Sequence, residues 1–205
     1  MYSSKVKICG ITSLEDAQAA VSMGADLIGF NFYDKSPRYL TVEQASEIAG
    51  KLPGFVDLVG VFVNASVDTI RRAMEGCFLN WIQLHGDETP QFCHSFDRDM
   101  VKVIKALRIR DRSDLDHAND FHADAILLDA FDSDLYGGTG KKFDWDLITH
   151  IDKRIFLAGG INPDNAAEAM DLGLYAIDVC SSIELEPGKK DHVKMRKLFD
   201  NIKHI

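Results

Sequence analysis

The chain has 205 residues, a net charge of −9, 46% apolar residues and 27% charged residues. A chain of this length can bury a core without metals or disulfides, and its acid excess disfavours nonspecific binding to nucleic acid, which needs a basic footprint. The longest apolar runs, such as DLIGFNFY, fall far short of a membrane span, and the opening MYSSKVKICGIT has no apolar signal region. Cys9, Cys77, Cys93 and Cys180 form no C-x-x-C pair, and none has a His at zinc-finger spacing. The expectation is a reduced, cytoplasmic protein with free thiols, no metal, and neither nucleic acid nor membrane as a partner.

Short apolar runs alternate with longer amphipathic stretches along the chain. VKICGI (6–11) reads as a first strand, and LEDAQAAVSMG (14–24) as a helix closed by Gly24. DLIGFNF (26–32) leads to TVEQASEIAGKL, with Thr41 as N-cap, and DLVGVFV (57–63) to SVDTIRRAMEG, ending at Gly76. NWIQLH (80–85), MVKVIKAL (100–107) and DAILLDA (124–130) follow, the last with a weakly marked helix starting near Phe143. RIFLAG (154–159) precedes NPDNAAEAMDLG, where Asn162 caps a helix with Pro163 in its first turn. YAIDVCS (175–181) precedes a basic closing helix in KKDHVKMRKLFDNIK. Several strands are apolar on successive residues, which suits parallel strands covered on both faces. Eight strand-then-helix units predict an α/β fold, a single-domain (β/α)8 TIM barrel spanning residues 1–205. An open doubly wound sheet is the alternative, but CGITSLED stands where its Gly-rich fingerprint would follow the first strand.

The strand C-termini of such a barrel carry the active site, and the unusual residues fall there. Cys9 ends the first strand; a free Cys is ordinarily a small buried hydrophobe, so position alone leaves its role open. Asp129 follows AILL, where a carboxylate at the edge of a core needs a reason. Arg38 follows Ser36 and Pro37, whose stiffened backbone suits an anion contact. Asn64, His85 and Asp87 follow the third and fourth strands, His85 equally readable as structural. AGGIN and CSS, after the seventh and eighth strands, read as paired phosphate loops: Gly159 and Gly160 present bare backbone, and Ser181 and Ser182 add N–H groups and hydroxyls. Gly138 of YGGTG is counted with them.

The ordered blocks KICGIT, GFNFYDKSPRYL, GVFVN, QLHGDE, LLDA, YGGTGKKFDW, LAGGINPDN and DVCSSIELEPGKKD, from residue 5 to about residue 195, resemble those of the phosphoribosylanthranilate isomerase family. The resemblance implies an Amadori rearrangement of N-(5-phosphoribosyl)anthranilate to 1-(2-carboxyphenylamino)-1-deoxyribulose 5-phosphate in tryptophan biosynthesis, with no metal and no organic cofactor. It implies Cys9 as general base, Asp129 as general acid, Arg38 on the anthranilate carboxylate, and the phosphate on the AGG and CSS loops. His85 and Asp178 are assigned to substrate binding and are the next candidates for the base. The implied partner is a small phosphorylated substrate, and the working form is a monomer or a homodimer. Ser182 departs from the Gly usual at its position and would be strained if that position needed φ > 0.

The chemistry suits these groups. A protonated Asp129 can open the furanose ring to a Schiff base, and a Cys9 thiolate can then take the C2′ proton, each group supplying roughly 10²–10⁴-fold. Ordinary values, near ~8.5 for a thiol and ~3.9 for Asp, give the opposite protonation order. The expectation is therefore that the fold lowers the Cys9 thiol and keeps a proton on Asp129. Two other readings are weighed against this one. The related Amadori isomerase of histidine biosynthesis would show a two-fold repeat and an Asp near the end of the first strand, where Cys9 stands. A non-catalytic sugar-phosphate binder would need neither Cys9 nor Asp129.

Overall fold

The computed structural model describes residues 4–130, 144–148 and 151–202. Eight parallel strands close into a barrel in sequence order: β1 (Lys5–Cys9), β2 (Leu27–Asn31), β3 (Asp57–Phe62), β4 (Trp81–Leu84), β5 (Lys102–Ile109), β6 (Ala125–Ala130), β7 (Arg154–Leu157) and β8 (Ala176–Val179). Closure is made by β1 against β8, with Lys7 opposite Asp178. The expected barrel is thus present, and closure removes the sheet edges that an open sheet would expose.

The helical layer is thinner than one helix per strand. α1 (Leu14–Met23), α2 (Val42–Ala49), α3 (Val67–Cys77), α5 (Ala166–Asp171) and α6 (His192–Ile202) are accompanied by a single-turn α4 (Pro90–Cys93). Two 3-10 turns, Arg112–Leu115 and Ala118–Asp120, replace the helix after β5, and a third, Trp145–Leu147, is what is described between β6 and β7. The expected helix start near Phe143 lies outside the described residues. Side-chain oxygens of Ser13, Thr41, Ser66 and Thr89 accept amide protons in the first turns of α1 to α4, satisfying donors that the helix leaves open. Thr41 and Gln44 form a full capping box.

Two helix ends differ from the sequence expectation. α3 runs past Gly76 to Cys77, and its C-cap Phe78, at a φ of 53°, places a bulky residue in the left-handed conformation. α5 begins at Ala166, with Asn165 at the N-cap position making no side-chain cap bond, because the Asn162 side chain holds the amides of Asp164 and Asn165 in a turn and delays the helix past Pro163. A short hairpin, β9 (Glu184–Glu186) with β10 (Lys189–Lys190), follows β8 and was not foreseen.

Alternation along each strand divides two cores. Outward residues such as Ile8, Ile28, Ile126, Leu128, Ile177 and Val179 pack under the helices. Inward residues Leu27, Val59, Trp81, Ile104, Leu127, Phe156 and Ala176 fill the barrel itself. Trp81 meets Phe156 edge-on at 5.7 Å, and Tyr175 stands 5.3 Å from Phe156, so aromatic rings plug the N-terminal end. Two residues further along β4 and β8 the inward positions become polar, at Gln83 and Asp178.

Candidate active site

At the C-terminal end the inward residues come two by two from single strands: Lys7 and Cys9 from β1, Gln83 and His85 from β4 and its end, Asp178 and Cys180 from β8 and its end. Asp129 follows the inward Leu127 on β6. Spacing of two is what keeps successive side chains on one face of a strand. Of these, Cys9, Gln83, His85, Asp129, Asp178 and Cys180 line a cavity of about 290 Å³, together with Asn31, Tyr33, Pro37, Arg38, Gly159, Gly160 and Ser181, while Lys7 is fully buried behind them.

The floor is a buried polar network. The Lys7 ammonium, with no solvent exposure, lies 2.8 Å from Asp178 Oδ2 and 2.8 Å from Gln83 Oε1, reaching from β1 across the barrel to β4. It also bonds Cys9. Burial works to strip its proton, but the Asp178 carboxylate and the Cys9 sulfur outweigh that and push its pKa up, so Lys7 is held charged. Gln83 Nε2 stands 2.8 Å from His85 Nδ1, and His85 Nε2 stands 3.4 Å from Asp129 Oδ2. Asp129 Oδ1 accepts the Ala130 amide at 2.9 Å, which leaves Oδ2 as the oxygen beside the His85 ring. Among the described residues, His85 Nε2 and Asp178 Oδ1 are buried without a hydrogen-bond partner. Buried polar atoms are rarely left so, and both residues line the cavity.

The two thiols act as one coupled acid. Cys9 and Cys180 share a hydrogen bond. A thiolate on Cys180 accepts it and is supported by Lys190 and Arg38, which together bring Cys180 down to about 7 against its burial. With the charge there, the Cys9 thiol is pushed well up by that hydrogen bond and by burial, Lys7 alone pulling the other way. The expected lowering of Cys9 is thus reversed, and the thiol that the surrounding charges lower is Cys180. Lys190 Nζ donates to the Cys180 carbonyl at 3.2 Å and to Glu184 Oε1 at 2.9 Å.

Arg38 is placed by its neighbours. Ser36 Oγ accepts the Arg38 amide, and Gly10, at φ +70°, lets the arginine cross the end of β1, where a Cβ would stand 2.5 Å from Arg38 Cδ. The guanidinium's Nε and Nη2 are bidentate to Glu184, at 2.9 and 2.7 Å. Burial disfavours charge on Glu184, but Arg38 and Lys190 outweigh it and hold the carboxyl below its usual range. One fork of Arg38 is therefore taken, leaving the end-on Nη1–Nη2 edge. In the glycine loop Gly159 and Gly160 take φ of 72° and 73°, and a Cβ on Gly159 would lie 2.5 Å from the Ala130 amide and 3.0 Å from Asp129 Oδ1. Among the described residues no cluster of three His, Cys, Asp or Glu is arranged to hold a metal.

The model of the N-(5'phosphoribosyl)anthranilate (PRA) isomerase family matches residues 6–201. The chain belongs to this family. It is 47% identical over 205 residues to the N-(5'-phosphoribosyl)anthranilate isomerase of Citrifermentans bemidjiense, covering 98% of each chain. Among solved structures, the phosphoribosyl anthranilate isomerase of Thermus thermophilus superposes with a TM-score of 0.89 at 36% identity, covering 98% of each chain. A phosphoribosyl anthranilate isomerase in complex with reduced 1-(o-carboxyphenylamino)-1-deoxyribulose 5-phosphate superposes at 0.82 with 39% identity, covering 98% of this chain and 100% of that one.

Within this isomerase barrel, the cavity gathers Cys9, Arg38, His85, Asp129, Gly159, Gly160, Asp178 and Ser181 of the residues singled out in the sequence. Ser182 does not line it: its hydroxyl donates to the Ile161 carbonyl at 2.5 Å and ties the two loops together. It sits in a 3-10 turn and is not among the residues with positive φ, so the exchange of the family's usual Gly brings no backbone strain. Gly138 lies outside the described residues. Asn64 and Asp87 do not line the cavity: Asn64 Oδ1 accepts the Asp87 amide at 2.8 Å, and the Asp87 carboxylate pairs with Arg108. Lys7, Gln83, Cys180 and Glu184 were missed. Lys7 and Gln83 had a signal: each is a polar side chain two residues before a candidate, inside an apolar strand. Glu184 had none, because its role depends on where the hairpin turns.

Proposed function

We propose that this chain catalyses the Amadori rearrangement of N-(5'-phosphoribosyl)anthranilate to 1-(2-carboxyphenylamino)-1-deoxyribulose 5-phosphate, a step of tryptophan biosynthesis. The observation that carries the reading is that Cys9 and Asp129, from strands three places apart around the barrel, open into one cavity beside a bare glycine loop and a preset arginine. Asp129 gives the proton held on Oδ2 to the ring oxygen, and the ring opens to a Schiff base. Cys9 then removes the C2′ proton, and the enolamine tautomerises to the ketone. Its thiolate arises when the proton of Cys9 moves along the hydrogen bond to Cys180, with no change in net charge. The end-on edge of Arg38 takes the anthranilate carboxylate. Gly159, Gly160, Ser181, Ser182 and Gly138 hold the phosphate, Ser182 by fixing the loop; His85 Nε2 and Asp178 Oδ1 are satisfied by the sugar and the bridging nitrogen.

The same reading takes residues 1–205 as one barrel domain working in the cytoplasm as a monomer or homodimer, with a small phosphorylated substrate and no cofactor. No helix among the described residues is long and apolar enough to cross a membrane, and one solved relative is a set of monomers generated from the dimeric isomerase of Thermotoga maritima. The test is consumption of the fluorescent substrate by purified protein, with rescue of a tryptophan auxotroph lacking this one step. Turnover and rescue are expected; tight binding without turnover would make the chain a binder.

A further inference from the structure

The buried network on the cavity floor has a direction set by its chemistry. An ammonium has three donors and no acceptor. Whatever atom of Gln83 faces Lys7 at 2.8 Å must therefore be the carbonyl oxygen. That turns the amide nitrogen, a pure donor, toward His85 Nδ1 at 2.8 Å. Nδ1 must then be the bare, accepting nitrogen, and the ring proton sits on Nε2. The opposite arrangement would put the Gln83 amide protons against the ammonium, inside a barrel where neither could turn to water. Lys7 cannot yield instead, because Asp178, 2.8 Å away, fixes its charge.

We propose that Lys7 and Gln83 are positioning residues that lock His85 as the neutral Nε2–H tautomer, a hydrogen-bond donor aimed at Asp129 Oδ2 and the cavity, and so exclude it as a base. The geometry gives the donor a use. At 3.4 Å and without a formed hydrogen bond, Nε2–H stands beside Asp129 Oδ2, the oxygen to which the proposed acid role assigns the proton. Once Asp129 has delivered that proton, Oδ2 is charged and becomes the better acceptor. Oδ1, already bonded to the Ala130 amide, needs no second partner. A protonated imidazole would instead set a donor at Nδ1 against the Gln83 amide, so the ring is held neutral from behind. The use made of the donor rests on the acid role of Asp129; the tautomer does not.

The test is a two-bond ¹H–¹⁵N correlation spectrum of the full chain, in which protonated and bare ring nitrogens are widely separated, with the His85 peaks assigned by their absence in His85→Gln. The native protein should show a proton on Nε2 and a bare Nδ1. Gln83→Glu replaces the donor facing Nδ1 by an acceptor and should bring a proton onto Nδ1. Its kcat should fall about tenfold or more, the loss of one hydrogen bond to a charged group, with KM changed less. Gln83→Met imposes neither state and should show both tautomers. A protonated Nδ1 in the native protein, or an Nε2–H, bare-Nδ1 ring persisting in Gln83→Glu, would overturn the lock, and the native spectrum decides even if a variant fails to fold. Full turnover in Asp129→Asn with the native tautomer unchanged would remove the acid assignment while supporting the lock.

Discussion

The two ends of the barrel interior are built from the same eight strands and do opposite work. At the N-terminal end the inward positions are Trp81, Phe156 and Ala176, with Tyr175 packed against them, and burial there is rewarded by the removal of apolar surface from water. Two residues further along the same strands stand Gln83, Ala158 and Asp178, joined from β1 by Lys7, and burial there is tolerated because each charge has a partner. The lower layer can be read as a sum of contacts. The upper layer is a set of donors and acceptors whose arrangement matters more than their number, and its two unpartnered buried atoms face the cavity.

The largest effect should come from breaking the lower layer. Phe156 is fully buried and holds both Trp81 and Tyr175, so Phe156→Ala should destabilise the fold by about 3–5 kcal/mol, read from denaturant unfolding. An unfolding curve shifted by under about 1 kcal/mol would mean that the aromatic plug is not the support of the barrel.

The upper layer should respond in rate more than in stability. Cys9→Ala and Asp129→Asn should each slow the chemical step by at least about 10²-fold in single turnovers. A Cys9→Ala enzyme that keeps most of its single-turnover rate would take the base role from the thiolate. The tautomer inferred above leaves Asp178 as the next candidate in that event.

Arg38 lies at the rim, where the two layers no longer compete. Arg38→Ala should weaken substrate binding by about 1.5–3 kcal/mol and raise KM, with less change in kcat. Arg38 shares buried Glu184 with Lys190, so Glu184→Gln in the Arg38→Ala background separates the roles: it should leave KM raised. A double variant with native KM would show that Arg38 only serves Glu184.

The smallest effect is in pH. With Cys180 lowered to about 7, its thiolate is present above that pH and lost as pH falls through it. Alkylation of Cys180 by iodoacetamide should rise through pH ~7 instead of near the ~8.5 of an ordinary thiol, as read by peptide mass. In Lys190→Met the rise should move upward, since that ammonium no longer supports the charge. A native rise near 8.5 would mean that the two thiols ionise independently.

Much of this was legible in the sequence because it is local or periodic. The eight apolar runs marked β1 to β8, Thr41 marked its own cap, and Gly159 and Gly160 marked a bare-backbone loop, which the fold holds at positive φ, all through residues within a few positions of one another. Cys9 and Asp129 could be placed at strand ends because a parallel barrel puts its chemistry there. The sequence could not give the pairings across the barrel: Lys7 with Gln83, 76 residues away, Lys7 with Asp178, 171 away, or Arg38 with Glu184, 146 away. Those depend on strand register and on how far a side chain reaches over the barrel axis. They decide which edge of Arg38 is left for a ligand and which atom of Gln83 faces the His85 ring, because a buried group's charge and tautomer are set by the few atoms within hydrogen-bonding distance, wherever in the chain those atoms lie.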